Sequence, residues 1–411
     1  MVSRRALLIL PPPQKPLTLS NTKNVYGPML DGFFQQQQKL HLQACLLDVA
    51  VMVPLGCCPT SFRPRATIFE EAQKVLALVY SLISAIATKN GVDIAVPGAL
   101  GLCIFYLVAK ENCLTKTDSS DTCSPSCFGP FVSVPTLVDA GRVYNVLCSS
   151  DKQHGNEVVQ GLLDQYQSKS EPKPTVTTLP VQDSGSHEKE EFAPSSSPEA
   201  QVHLSIAVGG AFDHLHVGHK LLLTATALLA EPKGTGRNSS QTVKLAIGIS
   251  GDEMLANKQY AEEMETWNER QEKVAEFLES VLLFSAPVLS AKKVESFSDP
   301  TANGRRVRTT YGSELIVEYV QLFDPFGPTI TDQNISALVL SKETRSGGDG
   351  VNERRQKLGW PPLEIFEVDV LDTNPDLEDD RRQPSATASF QSKVSSTEIR
   401  RQIHEKNVSP G

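Results

Sequence analysis

Near the middle of this 411-residue chain, one short run concentrates residues suited to handling a phosphate: Gly209-Gly210-Ala211-Phe212-Asp213-His214-Leu215-His216-Val217-Gly218-His219-Lys220. It leaves an apolar segment with strand character (203–208) and enters a segment with apolar residues at helical spacing (215–230). In an open α/β sheet, ligands bind at such a strand-to-helix junction. Glycines let the backbone pass close to a phosphate. The start of the following helix offers free N–H groups and the positive end of its dipole. His216 and His219 are three residues apart, which puts both imidazoles on one face of the first helical turn. Gly218 between them leaves no side chain in a nucleotide's way. Charge in phosphoryl transfer spreads over equatorial oxygens, so catalysis is mainly positioning and electrostatic stabilisation. Two imidazoles holding the oxygens of an α-phosphate suit that task, and no nucleophile–base pair calls for a covalent intermediate. His216 and His219 are therefore the candidate catalytic donors. Gly209, Gly210, Phe212 and Gly218 are candidate ATP-binding positions. His214 falls outside the pair's register and reads as a loop histidine.

Three further groups qualify for the same site. Ser395-Ser396-Thr397-Glu398-Ile399-Arg400 has the form of a helix cap, and equally that of a phosphate cradle with Arg400 one turn in. Arg345 and Arg355 follow a strand-like segment at the same expected sheet edge, where a guanidinium can grip ATP phosphates. Lys258 follows the next strand, within reach of a transferring phosphate. For each, the competing reading is structural or a solvated charge.

The elements that must position these groups alternate strand and helix patterns along residues 201–406, implying parallel βαβ units with right-handed crossovers. Strands are expected at 242–249, 314–322, 336–340 and 363–370, and helices at 268–283 and 395–404. The polar stretches 233–241, 291–310 and 372–390 read as surface insertions. Residues 1–166 also read as α/β, with strands at 6–10, 46–53, 93–96 and 142–147 and helices at 68–87 and 157–166. Residues 167–200 are rich in Ser, Pro, Glu and Lys and read as a disordered linker. The expected organisation is thus an amino-terminal α/β domain (1–166), a linker (167–200) and a parallel-sheet domain (201–411). On this division, deleting residues 1–200 would leave the chemistry of residues 201–411 measurable.

Composition narrows the function classes. Hydrophobic residues make up 40% of the chain and charged residues 21%, enough for a substantial core, and the net charge is −9 with no Lys/Arg stripe, which argues against nucleic acid as a partner. All eight cysteines precede the linker, and no secretory signal precedes them, so reduced thiols are expected. Cys123-x3-Cys127 lacks a second pair at zinc-binding spacing. The apolar stretches 75–87 and 94–109 fall short of a membrane span and read as a buried helix and a buried strand with its loop.

From Ala207 to Ile403 the sequence resembles the phosphopantetheine adenylyltransferase domain of the archaeal and eukaryotic type, as found in coenzyme A synthase. The matching pieces, in order, are GGAFDHLHVGHKLLL, IGISGDEMLANK, LSKETRSGGDGVNERRQKLG and KVSSTEIR. The resemblance implies a Rossmann-like class I nucleotidyltransferase. Its substrates would be ATP and 4′-phosphopantetheine, with Mg2+ arriving on ATP and no metal site of the protein's own. It further implies that His216, His219 and Lys258 serve catalysis and that Ser395, Ser396, Thr397 and Arg400 bind ATP. The family's usual Thr is Ala211 here, and the lost hydroxyl costs about 1 kcal/mol or more of binding. No Gly-x4-Gly-Lys-Ser/Thr loop follows, so a monofunctional enzyme is expected, cytoplasmic or mitochondria-associated, with other coenzyme A pathway enzymes as candidate contacts. A nicotinamide mononucleotide adenylyltransferase would share the His pair and the Ser-x-Thr-x-x-Arg pattern. A non-catalytic nucleotide-binding scaffold would tolerate Ala211.

Overall fold

Residues 6–10 and 49–53 are continuously apolar rather than alternating, the pattern of parallel strands covered on both faces. They lie at the centre of the first of two sheets. The computed structural model describes residues 4–39, 45–54, 64–94, 100–109, 128–150, 153–169, 173–180, 201–231, 242–285, 288, 290–298, 304–371 and 395–408. In the first sheet the strands are β1 (Arg4–Leu10), β2 (Cys45–Pro54), β3 (Gly101–Ala109), β4 (Phe131–Ser133), β5 (Val146–Ser150) and β6 (Thr175–Leu179), in the spatial order β4-β3-β2-β1-β5-β6. Every pairing is parallel. The connections carry α1 (Leu19–Lys39), α2 (Phe69–Lys89), α3 (Val134–Asp139) and α4 (Gln153–Lys169).

The second sheet contains β7 (Ser205–Gly210), β8 (Val243–Ser250), β9 (Lys292–Phe297), β10 (Arg306–Tyr311), β11 (Leu315–Leu322), β12 (Ala337–Ser341) and β13 (Glu364–Val368). Its order is β13-β12-β7-β8-β11-β10-β9. The first five positions are parallel, and β10 and β9 add an antiparallel edge. The order reverses between β7 and β12, the switch point at which Rossmann-like sheets bind ligands. Its helices are α5 (Val217–Leu228), α6 (Asp252–Leu255), α7 (Trp267–Leu282), α8 (Arg345–Lys357) and α9 (Ser396–Val408).

The α/β, Rossmann-like class read from the sequence is the fold observed. Several local expectations are not. Residues 291–310 are not a plain insertion: they supply β9 and β10, whose polar outward faces hid the strand pattern. The strand expected at 93–96 is absent at Asp93 and Ile94, and the apolar run resumes as β3. The strand expected at 142–147 begins only at Val146. The start of the expected linker is ordered, because α4 continues to Lys169 and β6 pairs with β5. The rest of that stretch (170–172 and 181–200), the insertions expected at 233–241 and 372–390, and Cys57, Cys58, Cys113, Cys123 and Cys127 lie outside the described residues. Among the described residues, no helix is long and apolar enough to cross a membrane.

The two sheets share one hydrophobic core. Helix α2 packs on α5, with Tyr80 Oη 3.4 Å from Thr224 Oγ1. Phe105 meets Phe284 edge-on at 4.9 Å, and Phe69 meets Phe366 likewise. Two buried arginines stitch the halves. Arg65 donates to the Ala230 carbonyl at 2.7 Å. Arg142 donates to the Ser280 carbonyl at 2.6 Å and the Leu283 carbonyl at 3.1 Å, while pairing with Asp48 at 2.9 Å.

Residues 201–411, expected to act without residues 1–200, share this core with them. A fragment beginning at residue 201 exposes the apolar faces of α5 and α7. It is expected to aggregate, or to melt well below the full chain, in thermal denaturation followed by circular dichroism. A soluble monomeric fragment with the full chain's melting temperature would contradict the shared core.

Candidate active site

The loop leaving β7 turns sharply at two non-glycine residues in the left-handed region, Phe212 (φ 51°) and His214 (φ 45°). Such backbone costs on the order of 1–3 kcal/mol per residue and persists only where the surroundings over-determine it. Phe212 is fully buried, and its ring lies against Gly210, where a Cβ would meet ring carbons at 3.1–3.4 Å. The Asp213 carboxylate accepts the Glu265 N–H at 3.0 Å, and Glu265 Oε2 accepts the His214 N–H at 3.0 Å. Arg270, fully buried, donates to the Ala211 carbonyl at 2.7 Å, to the Glu265 carbonyl at 3.0 Å and to Asp252 at 2.6 Å. Glu265 and Arg270 are placed by the start of α7, where Thr266 and Glu269 form a reciprocal capping box.

His216 is the N-cap of α5, and its Nδ1 accepts the Gly218 N–H at 3.2 Å. That bond puts the neutral ring's proton on Nε2. The His219 ring stacks on it with centroids 3.8 Å apart and planes 22° from parallel. His219 also leans on the Phe212 ring at 5.3 Å. A side chain at Gly218 would meet His216 Cε1 at 3.1 Å, so the pair needs a glycine there. Burial depresses both histidines: His216 is pulled down to about 4, and His219 well below the ordinary imidazole range, with the neighbouring imidazole adding to the effect. Both rings are therefore neutral at pH 7, and the His216 ring keeps its Nε2–H as a donor.

The carboxy-terminal helix closes the other side. Ser396 Oγ donates to the Asp213 carbonyl at 2.9 Å, so the start of α9 abuts the loop that carries the histidines. Arg400, 3% exposed, pairs with Asp213 Oδ2 at 2.5 Å, donates to the Gln259 carbonyl at 3.0 Å and reaches Thr397 Oγ1 at 3.2 Å. One guanidinium thus joins the β7 loop, the segment after β8 and α9. Ser395 Oγ accepts the Glu398 N–H at 3.3 Å, an ordinary cap.

The arginines differ from expectation. Arg400 is locked in a buried ion pair rather than free to grip a phosphate. Arg355, expected at ATP phosphates, is 1% exposed and donates to the carbonyls of Thr329 (2.7 Å), Pro361 (2.8 Å) and Ile335 (3.1 Å), so it braces the backbone beneath α8. Arg345 follows β12 and is partly exposed, held by Glu367 at 2.6 Å and Asp349 at 2.7 Å. Lys258 is exposed, one residue before the Gln259 carbonyl that Arg400 holds. Gly209 and Gly210 end β7 at the switch point. His214 is buried rather than a surface residue. Sequence reasoning missed the positioning roles of Asp213, Glu265 and Arg270. A carboxylate in the middle of the motif was the available signal for Asp213; Glu265 and Arg270 gave none.

Asp213, His214 and Glu265 place ligand atoms within 4.8 Å of one another. All three have partners already: Arg400 for Asp213, Lys273 for Glu265 and the Glu263 carbonyl for His214. A set containing an imidazole and two committed carboxylates does not fit Mg2+, which prefers free oxygen ligands and retained waters.

Residues 1–184 match the family described as "Domain of unknown function (DUF8446)". The chain is 36% identical over 165 residues to an uncharacterized protein of Schizosaccharomyces pombe, C1F12.08, covering 40% of this chain and 39% of that one. It is 32% identical over 195 residues to a Saccharomyces cerevisiae protein named phosphopantetheine adenylyltransferase, covering 47% of each. It is 27% identical over 168 residues to a Pyrobaculum aerophilum protein of the same name, covering 41% of this chain and 80% of that one. The chain thus spans less than half the length of the two fungal relatives.

Two outcomes follow from the geometry. Asp213→Asn strands the buried Arg400 charge and is expected to cost about 3–5 kcal/mol in urea denaturation; a cost under about 1 kcal/mol would show that the pair is not the loop's anchor. The second concerns pH. His216 protonates near 4 in the folded chain and near 6.5 when unfolded, so below 6.5 the unfolded state binds more protons. Its stabilising contribution is full above pH 6.5 and is lost as pH falls toward 4, by up to about 1.4 kcal/mol per pH unit. His216→Asn, which keeps an N-cap, is expected to flatten that part of the stability profile; an unchanged slope would contradict the burial of a neutral ring.

Proposed function

We propose that the chain transfers the adenylyl group of ATP to 4′-phosphopantetheine, giving dephospho-coenzyme A and pyrophosphate. An oxygen of the acceptor's phosphate attacks the α-phosphorus, and the bond from that phosphorus to the bridging oxygen breaks. The electron pair leaves with pyrophosphate. The observation that carries this reading is the stacked, neutral His216–His219 pair at the end of β7, facing the first turn of α9 across Asp213. Imidazole N–H groups there stabilise the charge that develops on the α-phosphate oxygens. The free N–H groups of α9, with the Ser395 and Thr397 hydroxyls, suit the outer phosphates. Mg2+ enters on those phosphates and neutralises their charge. Lys258 is exposed on a segment that Arg400 fixes through Gln259, and supplies a mobile cation for the leaving oxygens. Support for the acceptor comes from the relatives named phosphopantetheine adenylyltransferase.

One feature favours a second reading, a nucleotide-binding domain without turnover. Ala211 has no hydroxyl, and its carbonyl is taken by Arg270.

Pyrophosphate release from ATP and Mg2+ is measured with 4′-phosphopantetheine and with nicotinamide mononucleotide in separate reactions. Release with the first alone is expected; release with the second alone would reassign the acceptor, and ATP binding with neither would favour the second reading. His219→Ala is expected to lower turnover by about a hundredfold, the usual cost of one transition-state donor, with the fold intact. Near-normal turnover would remove the histidine from the mechanism.

A further inference from the structure

Where the first sheet meets α5 and α7 lies a cleft of 430 Å3. Leu46, Leu102 and Phe277 line it with apolar surface, and Arg5 and Lys220 with positive charge. Lys220 is 9% exposed. Among the described residues its ammonium has no hydrogen bond and no ion pair, although its neighbours His216 and Thr224 are hydrogen-bonded. Of the three acids that line the cleft, Glu276 is exposed to solvent, and Asp48 and Glu265 are committed elsewhere. Asp48 is held by Arg142 at 2.9 Å and the Tyr144 hydroxyl at 2.9 Å. Glu265 is held by Lys273 and the His214 N–H. Cys103, also on the wall, supplies no counter-charge: burial pushes its thiol up to about 11, and its Sγ sits 3.4 Å from the Ser280 carbonyl. Burial draws Lys220 down only to about 8, so it remains mostly charged at neutral pH. A buried charge without a partner is strongly unfavourable.

We propose that the cleft binds a small amphipathic anion, a carboxylate or phosphate monoester with a short apolar body, and that the Lys220 ammonium is its counter-ion. The apolar body lies along Leu46, Leu102 and Phe277, and Arg5 on the same wall is paired with Asp48 at 3.7 Å, which leaves Lys220 as the counter-ion. His214 and Leu215 line the same cleft, so its occupant touches the loop that carries His216 and His219 from behind. The site stands independently of the adenylyl-transfer reading, because it uses none of the residues assigned to that reaction.

Isothermal titration calorimetry of the full chain with sodium octanoate, octyl phosphate and octylamine tests this. Saturable binding of octanoate, octyl phosphate or both is expected, the two arms separating carboxylate from phosphate ligands, with none for octylamine. Lys220→Met keeps the side chain's length and removes its charge. It is expected to weaken anion binding at least about tenfold and to melt higher than the wild type without ligand. Lys220→Gln, judged by the same titration, guards against a packing effect peculiar to methionine. Absence of saturable anion binding, equal binding of octylamine, or unchanged affinity in both variants would overturn the proposal.

Discussion

Asp213 and Arg400 lie 187 residues apart in sequence and form a buried ion pair on which the geometry of the candidate site depends. Asp213 is fully buried and Arg400 nearly so, and removing either leaves an uncompensated charge in a low-dielectric interior. The pair holds the loop after β7 in a backbone path that contains two left-handed non-glycine residues. Through the Gln259 carbonyl it also holds the segment that bears Lys258. Through the rest of its helix it brings Ser396 onto the Asp213 carbonyl. The histidines are then presented by α5, whose first turn begins where this clamped loop ends.

Under the proposed function, that arrangement lets a motif with little charge of its own receive a polyphosphate. Burial keeps both imidazoles neutral, so the free site does not carry two adjacent positive charges that would repel each other and destabilise α5. A neutral ring still donates through the nitrogen that bears its proton, and for His216 the Gly218 contact fixes which nitrogen that is. Positive potential comes instead from helix starts and from the exposed Lys258, where solvent lowers the cost of charge. The division between neutral donors inside and cations outside is a physical solution to binding an anion at a buried loop.

The fold class and the core of the site were legible because their signals are local. A glycine pair after a strand, two histidines at helical spacing and a Ser-Ser-Thr start to a late helix can each be read within ten residues. What sequence could not show was the destination of a guanidinium. Arg355 and Arg400 resemble phosphate ligands in one dimension, but the fold points one at backbone carbonyls and the other at a buried carboxylate. The same limit applies to Arg65 and Arg142, whose partners lie across the interface between the two halves. It also explains why residues 1–200 seemed separable: an apolar helix face reads the same whether its cover comes from its own domain or from the other. The edge strands β9 and β10 were obscured for a different reason, since one-sided burial leaves too few apolar positions to mark a strand.

The most direct test of the account is a crystal structure of the full chain with Mg2+ and an ATP analogue whose α–β bridge cannot be cleaved. The account predicts the α-phosphate within hydrogen-bonding distance of the His216 and His219 rings, the outer phosphates at the first turn of α9, and the Asp213–Arg400 pair intact. A nucleotide bound away from the end of β7, or phosphates that break the Arg400 pair to reach its guanidinium, would contradict it.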